Sequence, residues 1–192
     1  ITIGLLCCAN ALGASTLLER SASLASLFPA DRAEQFATIL PADHIVHWQI
    51  LAPDIAAASD DTQALGTIIF VSPNHSGAPS KEWIEVLQRR NLIYVGADEF
   101  GNSKPTAQRL LAALMGLALV QRDFRIDAKR IYMAGMSGGG RVASQAITRF
   151  PQLFSGALYI VGADFWTDRE RALIPEIISK RYVFLTGSED FN

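Results

Sequence analysis

The chain has 192 residues, of which 49% are hydrophobic and 19% charged, with a net charge of −2 and a pI near 5.9. That length and apolar content can bury a sizeable core in one globular domain. The near-neutral charge, with no patches of aromatic residues among Lys and Arg, excludes the basic face that nucleic acid or an anionic membrane would require.

Residues 1–15, ITIGLLCCANALGAS, carry no charge. Ala9-Asn10-Ala11 and Ala11-Leu12-Gly13 both offer small-x-small cleavage sites. The pattern reads as the apolar and cleavage regions of a secretory leader whose charged start precedes residue 1. Residues 1–14 are therefore expected to be a leader remnant and 15–192 a single domain, secreted or periplasmic. A buried first helix is the alternative. Lipidation of Cys7 or Cys8 is disfavoured, because Leu6 stands where a small residue is wanted. Both cysteines lie in the leader, so the mature chain is expected to have neither disulfide nor thiol nucleophile.

Residues 15–40 have mixed character and no usable motif. Residues 45–51 (IVHWQIL) read as a strand, and 53–63 as a polar, Ala-rich loop. The pattern then becomes regular. Apolar runs at 67–71 (TIIFV), 92–95 (LIYV), 130–134 (RIYMA), 157–161 (ALYIV) and 182–185 (YVFL) predict strands, the first being a continuous run of the kind buried on both faces. Between them, 81–90, 104–122, 138–150 and part of 169–180 have helical spacing. Ser103 is the expected N-cap of the second helix, with Pro105 in its first turn. The apolar run 110–120 is too short to span a membrane and is flanked by Arg109 and Arg122, so it reads as a core helix. Strands alternating with helices predict an α/β fold, with a mainly parallel central sheet covered on both faces.

One serine stands among four glycines in IYMAGMSGGGRVAS, residues 131–144. Gly135-Met136-Ser137-Gly138-Gly139 matches G-x-S-x-G between a predicted strand and a predicted helix, the context a nucleophile elbow requires. The strand must turn sharply with the serine at its tip, and side chains two residues to either side would clash. Two rival readings are an inert turn and a dinucleotide-binding turn. In the second, Gly135 and Gly140 would be the outer glycines and Asp164 a ribose-binding acid. Against it, Ser137 replaces the middle glycine, and the turn is not on the first strand.

In this architecture the acid follows the nucleophile and the histidine follows the acid. Asp190, in Leu185-Thr186-Gly187-Ser188-Glu189-Asp190, is the preferred acid, with Glu189 and Asp164 as competitors. The oxyanion hole takes one N–H from the residue after the nucleophile, Gly138, and one from the loop after the first central strand. There His75, Ser76 or Gly77 could donate, with Ser76 preferred. His44, His47 and His75 all precede Ser137, so the base is expected beyond Asn192, with a last strand and helix. The 192-residue piece alone is then expected to be inactive and marginally stable.

From residue 66 onward, about two thirds of the chain, the segments VSPNHSG, LIYVGADEFGN, DAKRIYMAGMSGGGRVAS and FLTGSEDFN resemble the α/β-hydrolase superfamily. They look closest to secreted esterases of the polyhydroxybutyrate depolymerase and feruloyl esterase type. The His-Gly pair usual in those esterases is His75-Ser76-Gly77 here. The resemblance implies hydrolysis of a small or polymeric ester through an acyl-enzyme on Ser137, with no metal or organic cofactor. A serine peptidase of the prolyl-oligopeptidase type and a non-catalytic binding protein of the same fold remain as alternatives.

Overall fold

The computed structural model describes residues 15–53, 64–164 and 168–190, without the side chains of 168–170. The leader reading and most of the predicted 53–63 loop lie outside those residues. Seven strands form one sheet: β1 (Ser15–Ala22), β2 (Val46–Pro53), β3 (Leu65–Val71), β4 (Leu92–Ala97), β5 (Ile126–Met136), β6 (Gly156–Ile160) and β7 (Arg181–Leu185). Their order is β1-β2-β4-β3-β5-β6-β7. The first two strands pair antiparallel with each other, and β2 is antiparallel to β4. Every pair from β4 through β7 is parallel.

Parallel strands need crossovers, and the predicted helical segments supply them as α3 (Lys81–Arg89), α4 (Thr106–Asp123) and α5 (Gly138–Arg149). Two short helices, α1 (Leu24–Leu27) and α2 (Ala30–Phe36), follow β1, and α6 (Ile174–Ile178) precedes β7. Successive residues of the central strands face opposite sides. Ile69, Val71, Ile93, Val95, Ile131 and Met133 pack in the larger core with α4 and α5. Ile68, Phe70, Leu92, Tyr94 and Tyr132 pack against Trp83, Ile84 and Leu87 of α3. Both faces are thus covered, which is why these strands read as continuous apolar runs.

The apolar run 110–120 is the buried flank of α4. The helix differs from expectation at its start. Pro105, at φ −56° and ψ 143°, is the N-cap, and the helix begins at Thr106. The extended backbone at Pro105 keeps Ser103 outside the cap position. β1 was not legible in residues 15–40. It is a polar edge strand, STLLERSA, with most side chains exposed, so it lacks an apolar run.

Candidate active site

Where β5 meets α5, Ser137 is the single residue between strand and helix. Its backbone lies at φ 54°, ψ −123°, a region that costs an ordinary L-residue roughly 1–3 kcal/mol. The surrounding structure enforces it. Ser137 N donates to Ile160 O at the end of β6 (2.7 Å), and Arg141 N donates to Ser137 O (3.2 Å). The turn is also too tight for side chains. A Cβ on Gly135 would strike the Gly139 carbonyl, and one on Gly139 would strike the carbonyl of Val71 on β3. Just past the neighbouring β6 stands a second strained residue, Val161 at φ 47°. The Gly162 that follows it packs against the main chain of Ser137. As first residues of α5, Gly138 and Gly139 carry N–H groups that no preceding helical turn can satisfy.

The loop after β3 runs over the same edge of the sheet. Asp98, just past β4, organises it. Asp98 Oδ1 accepts from Gly77 N (2.7 Å), and Oδ2 accepts from Gln49 Nε2 (2.7 Å). Glu99, at φ 66°, donates its N–H to His75 O at 2.5 Å. The bond to Asp98 occupies the Gly77 N–H, which weakens Gly77 against His75 and Ser76 as the expected loop donor. The Ser76 hydroxyl accepts from Ala78 N (3.2 Å), and both His75 and Ser76 are exposed.

The loop after β4 completes the edge. Gly101 lies against the Asn74 carbonyl, and Asn102 N donates to Pro73 O (2.9 Å). The Asn102 side chain reaches the Cα of Gly138, so that a Cβ there would meet Asn102 Oδ1. Below this layer, the buried Arg109 of α4 donates to Phe100 O, Gly138 O and Ser72 O at 3.0–3.2 Å. Burial pushes its pKa down from the usual arginine value.

Asp190 follows β7 at the edge where β5 delivers Ser137. It accepts from Thr186 Oγ1 (2.7 Å), and its N–H donates to Gly187 O (3.2 Å). Glu189 beside it is exposed. Asp164 is engaged by α5 instead. Its Oδ2 accepts from Gln145 Nε2 (2.6 Å), and its N–H donates to Ser144 Oγ (2.9 Å). That commitment weakens Asp164 both as a catalytic acid and as a ribose ligand. His44 and His47 are exposed. His47 lines a cavity of about 180 Å³ with Glu19, Trp48, Gln49, Asp98 and Glu99.

The sequence reading missed Asp98, Asn102, Arg109 and Val161. Gly101 and Gly162 were the available signals, since each is a glycine just past a strand where two main chains come close. Nothing in the sequence marks Arg109, which sits in a helix among apolar neighbours.

No protein-family model and no curated protein matches the chain. Among solved structures it is similar to the S-formylglutathione hydrolase of Staphylococcus aureus, at a TM-score of 0.62 and 12% identity over 93% of this chain and 79% of that one. A thermostable esterase aligns at 0.58 and 14% over 90% and 55% of the two chains. Oligopeptidase B from Trypanosoma brucei aligns at 0.53 and 14% over 77% and 20%. The chain therefore spans about half the length of the thermostable esterase. At such identities the likeness is one of fold, and that fold is the α/β-hydrolase fold.

Proposed function

We propose that the chain carries the nucleophile and oxyanion-binding parts of a serine hydrolase acting on carboxylic esters. The observation that carries this reading is the strained Ser137 backbone, φ 54° and ψ −123°, at a strand-to-helix turn whose flanking glycines admit no side chain. Strain of this kind persists only where surroundings impose it, and it gathers at functional sites. In the proposed reaction, Ser137 Oγ attacks the ester carbonyl and its proton passes to a histidine contributed by chain following Asn192. Gly138 N–H and the N–H of Ser76 or His75 hold the oxyanion. The intermediate collapses, and the alcohol leaves with the proton from the imidazolium. Water repeats the sequence on the acyl-enzyme and releases the acid. Asp190 orients the imidazole.

The finer reading, a secreted esterase of the depolymerase or feruloyl esterase type, rests on the quoted sequence segments and on the leader pattern in residues 1–14. In the full-length protein, Ser137→Ala should lower kcat on a short p-nitrophenyl ester by something on the order of 10⁶-fold, and should abolish labelling by a fluorophosphonate. Most of the activity surviving would remove Ser137 from the chemistry. Faster turnover of peptides than of esters would favour the peptidase alternative. A wild-type protein that neither labels nor turns over either substrate would favour the binding-protein alternative.

A further inference from the structure

Arg109 is 5% exposed, and each of its three guanidinium nitrogens donates to a main-chain carbonyl. Nε donates to Phe100 O (3.1 Å), Nη1 to Gly138 O (3.2 Å) and Nη2 to Ser72 O (3.0 Å). The three acceptors belong to the three segments that leave the central sheet at the elbow's edge. Ser72 follows β3 and begins the loop of His75 and Ser76. Phe100 lies in the loop that sends Asn102 against Gly138. Gly138 is the residue after the nucleophile.

The placement carries an electrostatic cost. A buried cation is costly to desolvate, and the groups that the Arg109 guanidinium meets are neutral main-chain carbonyls. It also stands in the first turn of α4, which begins at Thr106, where the helix dipole disfavours positive charge. An apolar side chain would avoid that desolvation cost but would leave the three carbonyls without these donors. What an apolar side chain lacks is a rigid planar fork of donors that can join three separate carbonyls, and lysine lacks that fork too.

We propose that Arg109 is a positioning residue that fixes the separation between the two halves of the oxyanion hole, Gly138 on one side and the loop after Ser72 on the other. The inference rests on the reading of Ser137 as nucleophile. Displacing such donors by about 1 Å can lower turnover about 10²-fold while substrate still binds.

The test uses the full-length protein, a short p-nitrophenyl ester, and active-site titration by the nitrophenol burst, so that rates refer to competent sites. Arg109→Lys and Arg109→Gln should lower kcat per titrated site roughly 10²-fold, with KM changing by no more than about 3-fold. The inhibition constant of a boronic acid, whose adduct is tetrahedral, should rise by a factor similar to the fall in kcat. Leu87→Ala is the comparison for mere loss of stability. It empties a core position on α3 and should melt earlier with kcat per site intact. Arg109 variants that behave as Leu87→Ala does would overturn the proposal.

A readout independent of variants is the Arg109 Nε–H resonance of the wild type. It should exchange slowly and move when Ser137 is phosphonylated. An unmoved resonance also overturns the proposal. Should Ser137→Ala retain turnover, the nucleophile assignment itself fails, which is a different result from normal kcat in the Arg109 variants.

Discussion

A methyl group on Gly139 would occupy the space of the Val71 carbonyl oxygen. Two opposing effects decide what Gly139→Ala does. Alanine favours the helical conformation over glycine by about 1 kcal/mol, and Gly139 lies in the first turn of α5. The clash, however, is with the backbone of a central strand, which cannot rotate away, and overpacking of this kind costs about 1–3 kcal/mol or more. The clash should win, with a net loss of about 1–2 kcal/mol in denaturant unfolding and a displaced elbow. Gly187 is the control, because a Cβ there meets nothing within 4 Å. Gly187→Ala should stay within about 0.5 kcal/mol of wild type. Equal stabilities for the two variants would mean that the elbow relaxes freely, contrary to the strain read at Ser137.

The elements most readable from sequence were those with the strongest physical signal. Strands β3 to β6 are largely buried apolar runs, β7 is an apolar run at the edge, and α3 to α5 lie between the first four, so pattern alone located each of them. β1 escaped because an edge strand with a polar exposed face has no run to detect. The strained turn at Ser137 was legible because its geometry fixes three of five consecutive residues, Gly135, Ser137 and Gly139. Asp98 and Arg109 were not, because they act by meeting main-chain atoms of segments distant in sequence, and such meetings leave no local pattern.

The other sheet edge, β7, carries its own consequence. Val183, Phe184 and Leu185 are 59%, 67% and 56% exposed, and Phe184 makes ring contacts with Tyr159 and Tyr182. An exposed apolar edge is a template for strand pairing between chains. A polypeptide of residues 1–192 should therefore self-associate at micromolar concentration. Val183→Lys should shift it toward monomer in light scattering. Monodisperse wild-type polypeptide at high concentration would rule out β7 as a sticky edge.

At the scale of the whole molecule, the sheet delivers the elbow and its supporting loops to one edge, and its two faces each bury tyrosine. Tyr94 lies on the α3 face, and Tyr159 and Tyr182 on the opposite one. Burial pushes the Tyr94 hydroxyl well above its ordinary value, and the nearby Asp98 charge adds to the shift. Burial raises Tyr159 likewise, with Tyr182 adding to it. Tyr182, whose hydroxyl donates to Ile177 O (2.7 Å), is pushed up to about 12. The sign of the effect follows from the neutral form being favoured in the folded state. Unfolded tyrosines release their protons near pH 10, at about the ordinary phenol value, whereas these folded ones hold them. Stability from this source is complete below about pH 10 and falls as pH rises through 10 toward 12 and beyond, where the unfolded chain binds fewer protons. Because the groups sit on both faces, the loss should be global. Absorbance of tyrosinate and near-ultraviolet circular dichroism, followed together from pH 9 to 13, should change in one cooperative step above pH 10. Full tyrosinate absorbance appearing near pH 10 with the native dichroism retained would mean that these hydroxyls reach solvent in the folded state. The alkaline limit would then have to lie in other groups.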